Sequence, residues 1–124
     1  MEADSQIIGC IEKCLRCCIT CWKMHEETTS VIDIERFRSL HLHLVECAEI
    51  CRTTASFLRW NSAFCKAACA LCAETCERCA WECARIPGDE QARRVLEACE
   101  QCAGACRVLT QHLESLPRSS AAAS

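Results

Sequence analysis

Apolar residues and cysteines recur three or four positions apart along most of the chain, with charged residues between them. This spacing places side chains on one face of an α-helix. The pattern breaks at Thr28-Thr29-Ser30, at Asn61-Ser62 and at Pro87-Gly88-Asp89, which are turn and capping residues. It therefore predicts four helices, over about residues 4–28, 34–60, 62–86 and 90–116.

Capping residues and short connections then predict the topology. Asp4 or Ser5, Asp33 and Asp89 are the expected N-caps of the first, second and fourth helices. Each helix would be roughly 36–40 Å long. Because the connections are short, consecutive helices should be antiparallel, which predicts an all-α, up-down-up-down four-helix bundle. A single domain over 1–116 and a flexible C-terminal tail over 117–124 complete this prediction.

The inward stripes carry cysteine where Leu, Ile and Val would normally lie. The chain has 16 cysteines in 124 residues, and on each cysteine-rich helix they fall within an arc of roughly 60–100°. Such a core would be under-filled, because a thiol is much smaller than a leucine side chain. Two histidines fall on the same stripes. The candidate metal ligands are Cys10, Cys14, Cys17, Cys18, Cys21, Cys47, Cys51, Cys65, Cys69, Cys72, Cys76, Cys79, Cys83, Cys99, Cys102, Cys106, His25 and His43.

The chemistry of the ligands favours one metal. Thiolate sites select Cu(I), Zn(II) or iron–sulfur clusters. The Cys-x2-Cys-x2-Cys run of ferredoxins does not occur in the sequence, and Zn(II) held by four thiolates would bury two negative charges. Cu(I) accepts two or three thiolates, and one ion per thiol leaves the core nearly neutral. Disulfides are disfavoured, since cysteines three or four apart on one helix have nearly parallel Cβ vectors. We therefore predict many Cu(I) ions per chain.

A repeated unit, Cys-x2-Cys-Ala-x2-Cys, begins at Cys69, at Cys76 and at Cys99, and the first helix carries a variant at Cys14. With these rows, residues 10–106 resemble the copper storage proteins, which are cysteine-lined four-helix bundles. The resemblance implies storage of Cu(I) inside the bundle, assembly into homotetramers, and the cytosolic branch of the family. Family members commonly place His or Met near the open end. Here the fourth helix begins with Glu90, Gln91, Arg93 and Arg94.

The two ends of the predicted bundle should differ. Aligning the helices at their loops places Cys14 opposite Cys47. One end then becomes an apolar plug of Ile7, Leu58, Leu109 and Leu113. The other end gathers Cys21, Cys83 and His25, and a neutral imidazole there could pass Cu(I) to the thiolates. Met24 falls at the edge of the stripe, and His41 and His112 fall off it, at the expected surface.

Other classes of function have less support. The net charge is −3 without a basic stripe, which argues against nucleic acid, and no apolar run approaches the roughly 20 residues of a membrane span. The first residues lack the features of a secretory signal, so we expect a cytoplasmic protein with reduced thiols. No nucleophile–base constellation indicates an enzyme.

Two alternatives remain open, together with the oligomeric state. A thiol redox sensor would use an exposed, low-pKa Cys10 or Cys65, and a Zn or Cd thiolate store would use the whole core. Several apolar residues point away from the thiol stripes and favour a homo-oligomer. They are Ile34, Leu42, Val45, Trp60 and Trp81.

Overall fold

The computed structural model describes residues 2–28 and 38–115. It contains α1 (Glu2–Glu27), α2 (Arg38–Arg59), α3 (Cys65–Ala84) and α4 (Glu90–Ser115). All regular structure in these two ranges is helical, so the predicted all-α class is confirmed. The predicted cap at Asp33, the predicted start of the second helix at 34 and the predicted tail at 117–124 lie outside the described residues.

The four helices form a closed ring. The packed pairs are α1–α2, α2–α3, α3–α4 and α4–α1, and within the described ranges no backbone contact joins diagonally opposite helices. Cys10 lies beside Cys106 and Cys17 lies beside Cys99, so α1 and α4 run antiparallel. This is the predicted up-down-up-down bundle. None of the described helices is both long enough and apolar enough to cross a membrane.

Local sequence explains two of the helix ends. The Asp89 carboxylate accepts a hydrogen bond from the Ala92 N–H at 2.9 Å, which confirms Asp89 as the N-cap of α4. Helix α2 ends in a Schellman turn, in which the Ser62 N–H donates to the Phe57 carbonyl at 3.0 Å. Asn61 adopts a φ of 54° there, a left-handed conformation that asparagine tolerates.

The start of α1 differs from the prediction. The helix begins at Glu2, so Asp4 and Ser5 lie within its first turn and do not cap it. Acidic residues are also favourable inside a first turn, because they face the positive end of the helix dipole. The capping preference of Asp4 or Ser5 therefore could not fix the boundary.

Apolar side chains close both ends of the thiol core. At one end Leu58 and Leu109 are buried, with Ile7 and Leu113 packed against them, as predicted. The opposite end is closed as well. Fully or almost fully buried there are Met24, Leu40, Leu44 and Val95. The core is thus a sulfur-lined interior between two apolar layers.

Candidate metal centre

All sixteen cysteines are buried and free of disulfide bonds. Their sulfur atoms meet across the bundle axis at van der Waals distance. Cys47 Sγ lies 3.6 Å from Cys76 Sγ and 3.7 Å from both Cys17 Sγ and Cys99 Sγ, so all four helices meet at this sulfur. Cys51 Sγ in turn lies 3.7 Å from Cys72 Sγ and 3.8 Å from Cys102 Sγ.

These contacts build four-thiol groups whose sulfur atoms all lie within 4.8 Å of one another. Each four-thiol group draws on three different helices. In order along the bundle, the groups are Cys14/Cys72/Cys102/Cys106, Cys51/Cys72/Cys76/Cys102, Cys17/Cys47/Cys51/Cys76 and Cys17/Cys21/Cys47/Cys99. Neighbouring groups share two thiols, so the groups form one continuous column.

A three-thiol group extends the column at the Leu58–Leu109 end. It consists of Cys10, Cys69 and Cys106, and it shares Cys106 with the first four-thiol group. We call it the end trio. Four cysteines belong to none of these groups: Cys18, Cys65, Cys79 and Cys83.

The sulfur spacing matches that of a coordinated soft ion. Metal–thiolate bonds are about 2.3 Å long, so four sulfurs around one ion lie about 3.8 Å apart and three in a plane about 4.0 Å apart. The closest sulfur–sulfur contacts in the column are 3.6 to 4.0 Å, and all sulfurs of a group lie within 4.8 Å of one another. Ions could therefore enter the groups with little movement of the helices.

Burial and hydrogen bonding govern the protonation of these thiols. Burial raises the pKa of Cys18 and of Cys65, because the anion loses its hydration. In the end trio, hydrogen bonding to Cys10, reinforced by burial, raises the pKa of Cys69 to about 12. Hydrogen bonding with Cys106 lowers the pKa of Cys10. A metal must therefore displace protons from donor thiols such as Cys69 at neutral pH.

The redox-sensor alternative finds no support at its two candidate residues. Cys10 is 1% exposed. The Cys65 thiol donates a hydrogen bond to the Phe57 carbonyl at 3.2 Å, and burial raises its pKa. A peroxide-sensing cysteine needs an exposed thiol with a lowered pKa; both candidates are buried, and the pKa of Cys65 is raised.

His25 lies in a small aromatic cluster beyond the thiol column. Its half-buried ring makes an edge contact with Trp22, at 5.4 Å between ring centroids, and lies 5.0 Å from the ring of His41. His41 Nε2 is 2.8 Å from the Thr28 hydroxyl. The prediction that His41 is a surface residue is therefore wrong. His41 is the functional candidate that sequence periodicity missed, because it lies at the rim of the bundle and not on the inward stripe.

The prediction that His43 lies in the thiol stripe of the second helix is also wrong. Leu44 and Leu40 continue the row of Cys47 on α2. His43 lies at the α2–α3 boundary, with its ring nitrogens 4.0 Å from Glu46 and 3.9 Å from Glu82. Positions three and four residues before Cys47 fall on the same helical face. The pattern alone could not choose between Leu44 and His43.

Three smaller expectations need correction. Met24 is fully buried and not at the edge of the core. Cys47 meets Cys17, one turn further along α1 than the predicted Cys14, because the alignment depended on an assumed loop length. His112, expected at the surface, is partly buried.

An all-helical ring around a column of overlapping thiol groups defines a cysteine-lined metal-binding bundle. The family profile for copper storage proteins matches residues 3–111, and the chain belongs to the copper storage protein family. Comparison with curated protein sequences found no match.

Solved structures of this family share the fold. The chain resembles a cytosolic copper storage protein from Streptomyces lividans with five coppers (30% identity, TM-score 0.83, covering 88% of this chain and 95% of that one). The same Streptomyces protein loaded with 10 copper equivalents matches at 29% identity and a TM-score of 0.81, covering 86% and 85%. The Cu(I)-bound copper storage protein BsCsp3 matches at 30% identity and a TM-score of 0.78, covering 85% and 98%.

Proposed function

We propose that this protein stores many Cu(I) ions on the cysteine thiolates of its core. The observation that carries the proposal is the continuous column of thiol groups, whose closest sulfur–sulfur contacts are 3.6 to 4.0 Å. Shared sulfurs suit thiolates that bridge successive ions. The similar structures described above hold copper in the same fold. The role is storage, and no catalytic step is assigned to the core.

Charge favours Cu(I) over Zn(II) as the cargo. Each Cu(I) that replaces one thiol proton leaves a buried site with no net charge. Each Zn(II) held by four thiolates leaves two negative charges, which are costly in an interior with few counterions. Buried polar groups that could offset such charge are rare here. Thr28 and Thr54 are the buried polar residues of the described ranges.

Anaerobic titration of the reduced protein with Cu(I) tests the proposal. We expect well over four tight equivalents per chain, with about one proton released per thiol ligated. Zn(II) loaded beforehand should be displaced by Cu(I), which separates copper storage from a zinc or cadmium store. Saturation at one or two equivalents, or retention of Zn(II), would overturn the proposal.

We further propose that Cu(I) enters at the end that carries His25. His25 contacts His41 at this end, where Met24 and Cys21 are buried on α1 and Cys83 is buried near the end of α3. Soft thioether and imidazole groups can hold Cu(I) weakly before thiolates take it. Because Leu40, Leu44 and Val95 close this end, the apolar layer must open during loading.

Loading kinetics test this route. The variants H25A and H41A should slow copper uptake and leave the final capacity within one or two equivalents of the parent. The matched control is H112A, which changes a histidine on α4 at the opposite end. Equal rates in all three variants would contradict entrance at the His25 end.

The predicted compartment and assembly remain proposals. A core of sixteen free thiols suits a reducing compartment such as the cytosol. For self-association, α1 exposes Ile8, Leu15 and Ile19 at helical spacing, and Leu42 is exposed on α2. Exposed apolar side chains of this kind favour contact between copies. Light scattering after size-exclusion chromatography should give a homo-oligomer, with a tetramer as the expected size, and a monomer would refute this part.

A further inference from the structure

The end trio differs from the four-thiol groups in its number of ligands. Cys10, Cys69 and Cys106 come from α1, α3 and α4, and each is at most 1% exposed. At the level of Cys69 the remaining helix, α2, contributes Thr54, whose hydroxyl donates to the Ala68 carbonyl at 3.3 Å. The Thr54 hydroxyl is thus engaged with the backbone, and the end trio is a group in which three sulfur atoms, and not four, all lie within 4.8 Å of one another.

We propose that the end trio binds trivalent arsenic, supplied as arsenite. Arsenous acid, As(OH)3, would react with the three thiols to give As(S-Cys)3 and three waters. Three As–O bonds break, three As–S bonds form, each thiol proton leaves on a hydroxide, and no oxidation state changes. The proposal adds a second cargo to the bundle and does not depend on copper storage.

The geometry of the site suits a pyramidal centre. Bonds comparable in length to other thiolate bonds, about 2.3 Å, require sulfur atoms no more than about 4 Å apart. Cys10 Sγ and Cys106 Sγ are 3.7 Å apart and meet this limit, while Cys69 Sγ lies within 4.8 Å of both and would move closer when all three bind. A trivalent arsenic centre keeps a lone pair on its open side. A four-thiol group holds a fourth sulfur within 4.8 Å of the other three, whereas the end trio consists of three mutually close sulfurs.

Charge and access point to the same site. The arsenic trithiolate is neutral, so its burial carries no ionic penalty. The end trio also lies at the end of the column closed by Leu58 and Leu109, with Ile7 and Leu113 only partly buried. Arsenous acid carries no charge, so it crosses an apolar layer at lower cost than an ion does. Arsenite can thus reach the end trio without passing the remaining thiols.

Anaerobic titration of the reduced, metal-free full chain with arsenite tests the assignment. Native mass spectrometry should show one tightly bound arsenic that has replaced three protons of the chain. The reaction should release no protons to solvent, whereas Cu(I) loading of the same sample should release them. Several equivalents of similar affinity, or no binding, would overturn the proposal, while the copper titration would separately report on storage.

Single variants locate the site. Cys10 and Cys69 belong to the end trio and to no other group, so C10A and C69A should each weaken arsenite binding at least about 100-fold, as expected when one of several linked contacts is lost. The matched control is C65A, which removes a thiol one turn from Cys69 that lies outside every group. Its arsenite affinity should stay within about twofold of the parent. Equal losses in C69A and C65A would refute the assignment.

A measurement on the unmodified protein keeps the test independent of folding defects in variants. One equivalent of arsenite should protect Cys10, Cys69 and Cys106 from alkylation in partly unfolding conditions. Cys47, in the middle of the column, should remain as reactive as in the free protein. Protection centred on Cys47 would place the arsenic elsewhere and overturn the proposal.

Discussion

Removal of both thiols of α2 should disrupt copper storage far beyond the number of sulfurs lost. Cys47 and Cys51 are the only cysteines on α2. Cys47 Sγ contacts sulfurs on α1, α3 and α4, and Cys51 Sγ contacts sulfurs on α3 and α4. The double variant C47A/C51A therefore cuts the middle of the column.

The expected loss follows from the group membership. Three of the five thiol groups contain Cys47 or Cys51. The intact groups are Cys14/Cys72/Cys102/Cys106 and the end trio, both towards the Leu58–Leu109 end. Two sulfurs are one eighth of the sixteen thiols, so independent sites would lose two equivalents. Shared sulfurs predict a larger loss, because the groups that remain occupy one end of the bundle.

The assay is an anaerobic Cu(I) titration in competition with a chelator of known affinity. The matched control is C18A/C65A, which also removes two buried thiols, both outside the five groups. It should lose no more than two equivalents. Each cysteine-to-alanine substitution removes a buried thiol and should cost about 1 kcal/mol of folding stability. Chemical denaturation of the metal-free proteins would verify that both variants fold.

The comparison between the two variants decides whether sulfurs are shared. A loss of two equivalents in both would show sixteen independent thiols and would refute the continuous column. A loss greater than two in C47A/C51A alone would support it.

Two further predictions concern the metal-free protein. Buried thiols with raised pKa, such as Cys69 at about 12, stay protonated in the folded state while the unfolded thiol ionises near 8.5. Their contribution to the free energy of unfolding is thus complete below about pH 8.5 and is lost as the pH rises towards 12, by up to about 1.4 kcal/mol per pH unit and thiol. Thermal melting across pH 7 to 11 should show this fall in stability. An unchanged melting temperature would contradict the protonated core. Replacement D89A removes the N-cap of α4 and should cost about 1 kcal/mol without altering copper capacity, whereas a fall in capacity would show that the cap also positions ligands.

The helices and their inward-facing cysteines could be predicted from the sequence, because both depend on a helical period that repeats over many residues. Local residues also determine where α2 ends, at Asn61, and where α4 begins, at Asp89. The relations between helices were harder to predict. The pairing of Cys47 with Cys17 depends on the axial position of one helix relative to the next. A shift by one helical turn would keep every cysteine on the inward face, so the sequence pattern does not determine this position.

The side chains at the ends of the core were the other weak point. Leu44 and His43 share a helical face, and only the packing of α3 decides which one is buried. His41 joins His25 through tertiary contact across the α1–α2 boundary, which no periodic pattern records. Long, repeated features were therefore predictable, while single residues at the rim were not.

The four-thiol groups each join three helices, so a bound ion also cross-links chain segments that lie far apart in sequence. A filled bundle should resist proteases, since its helices cannot separate until several metal–sulfur bonds break. An empty bundle, held by small thiols and alanines, should be digested faster. Cellular turnover would then depend on occupancy, with vacant copies removed first and full ones persisting until their contents are withdrawn.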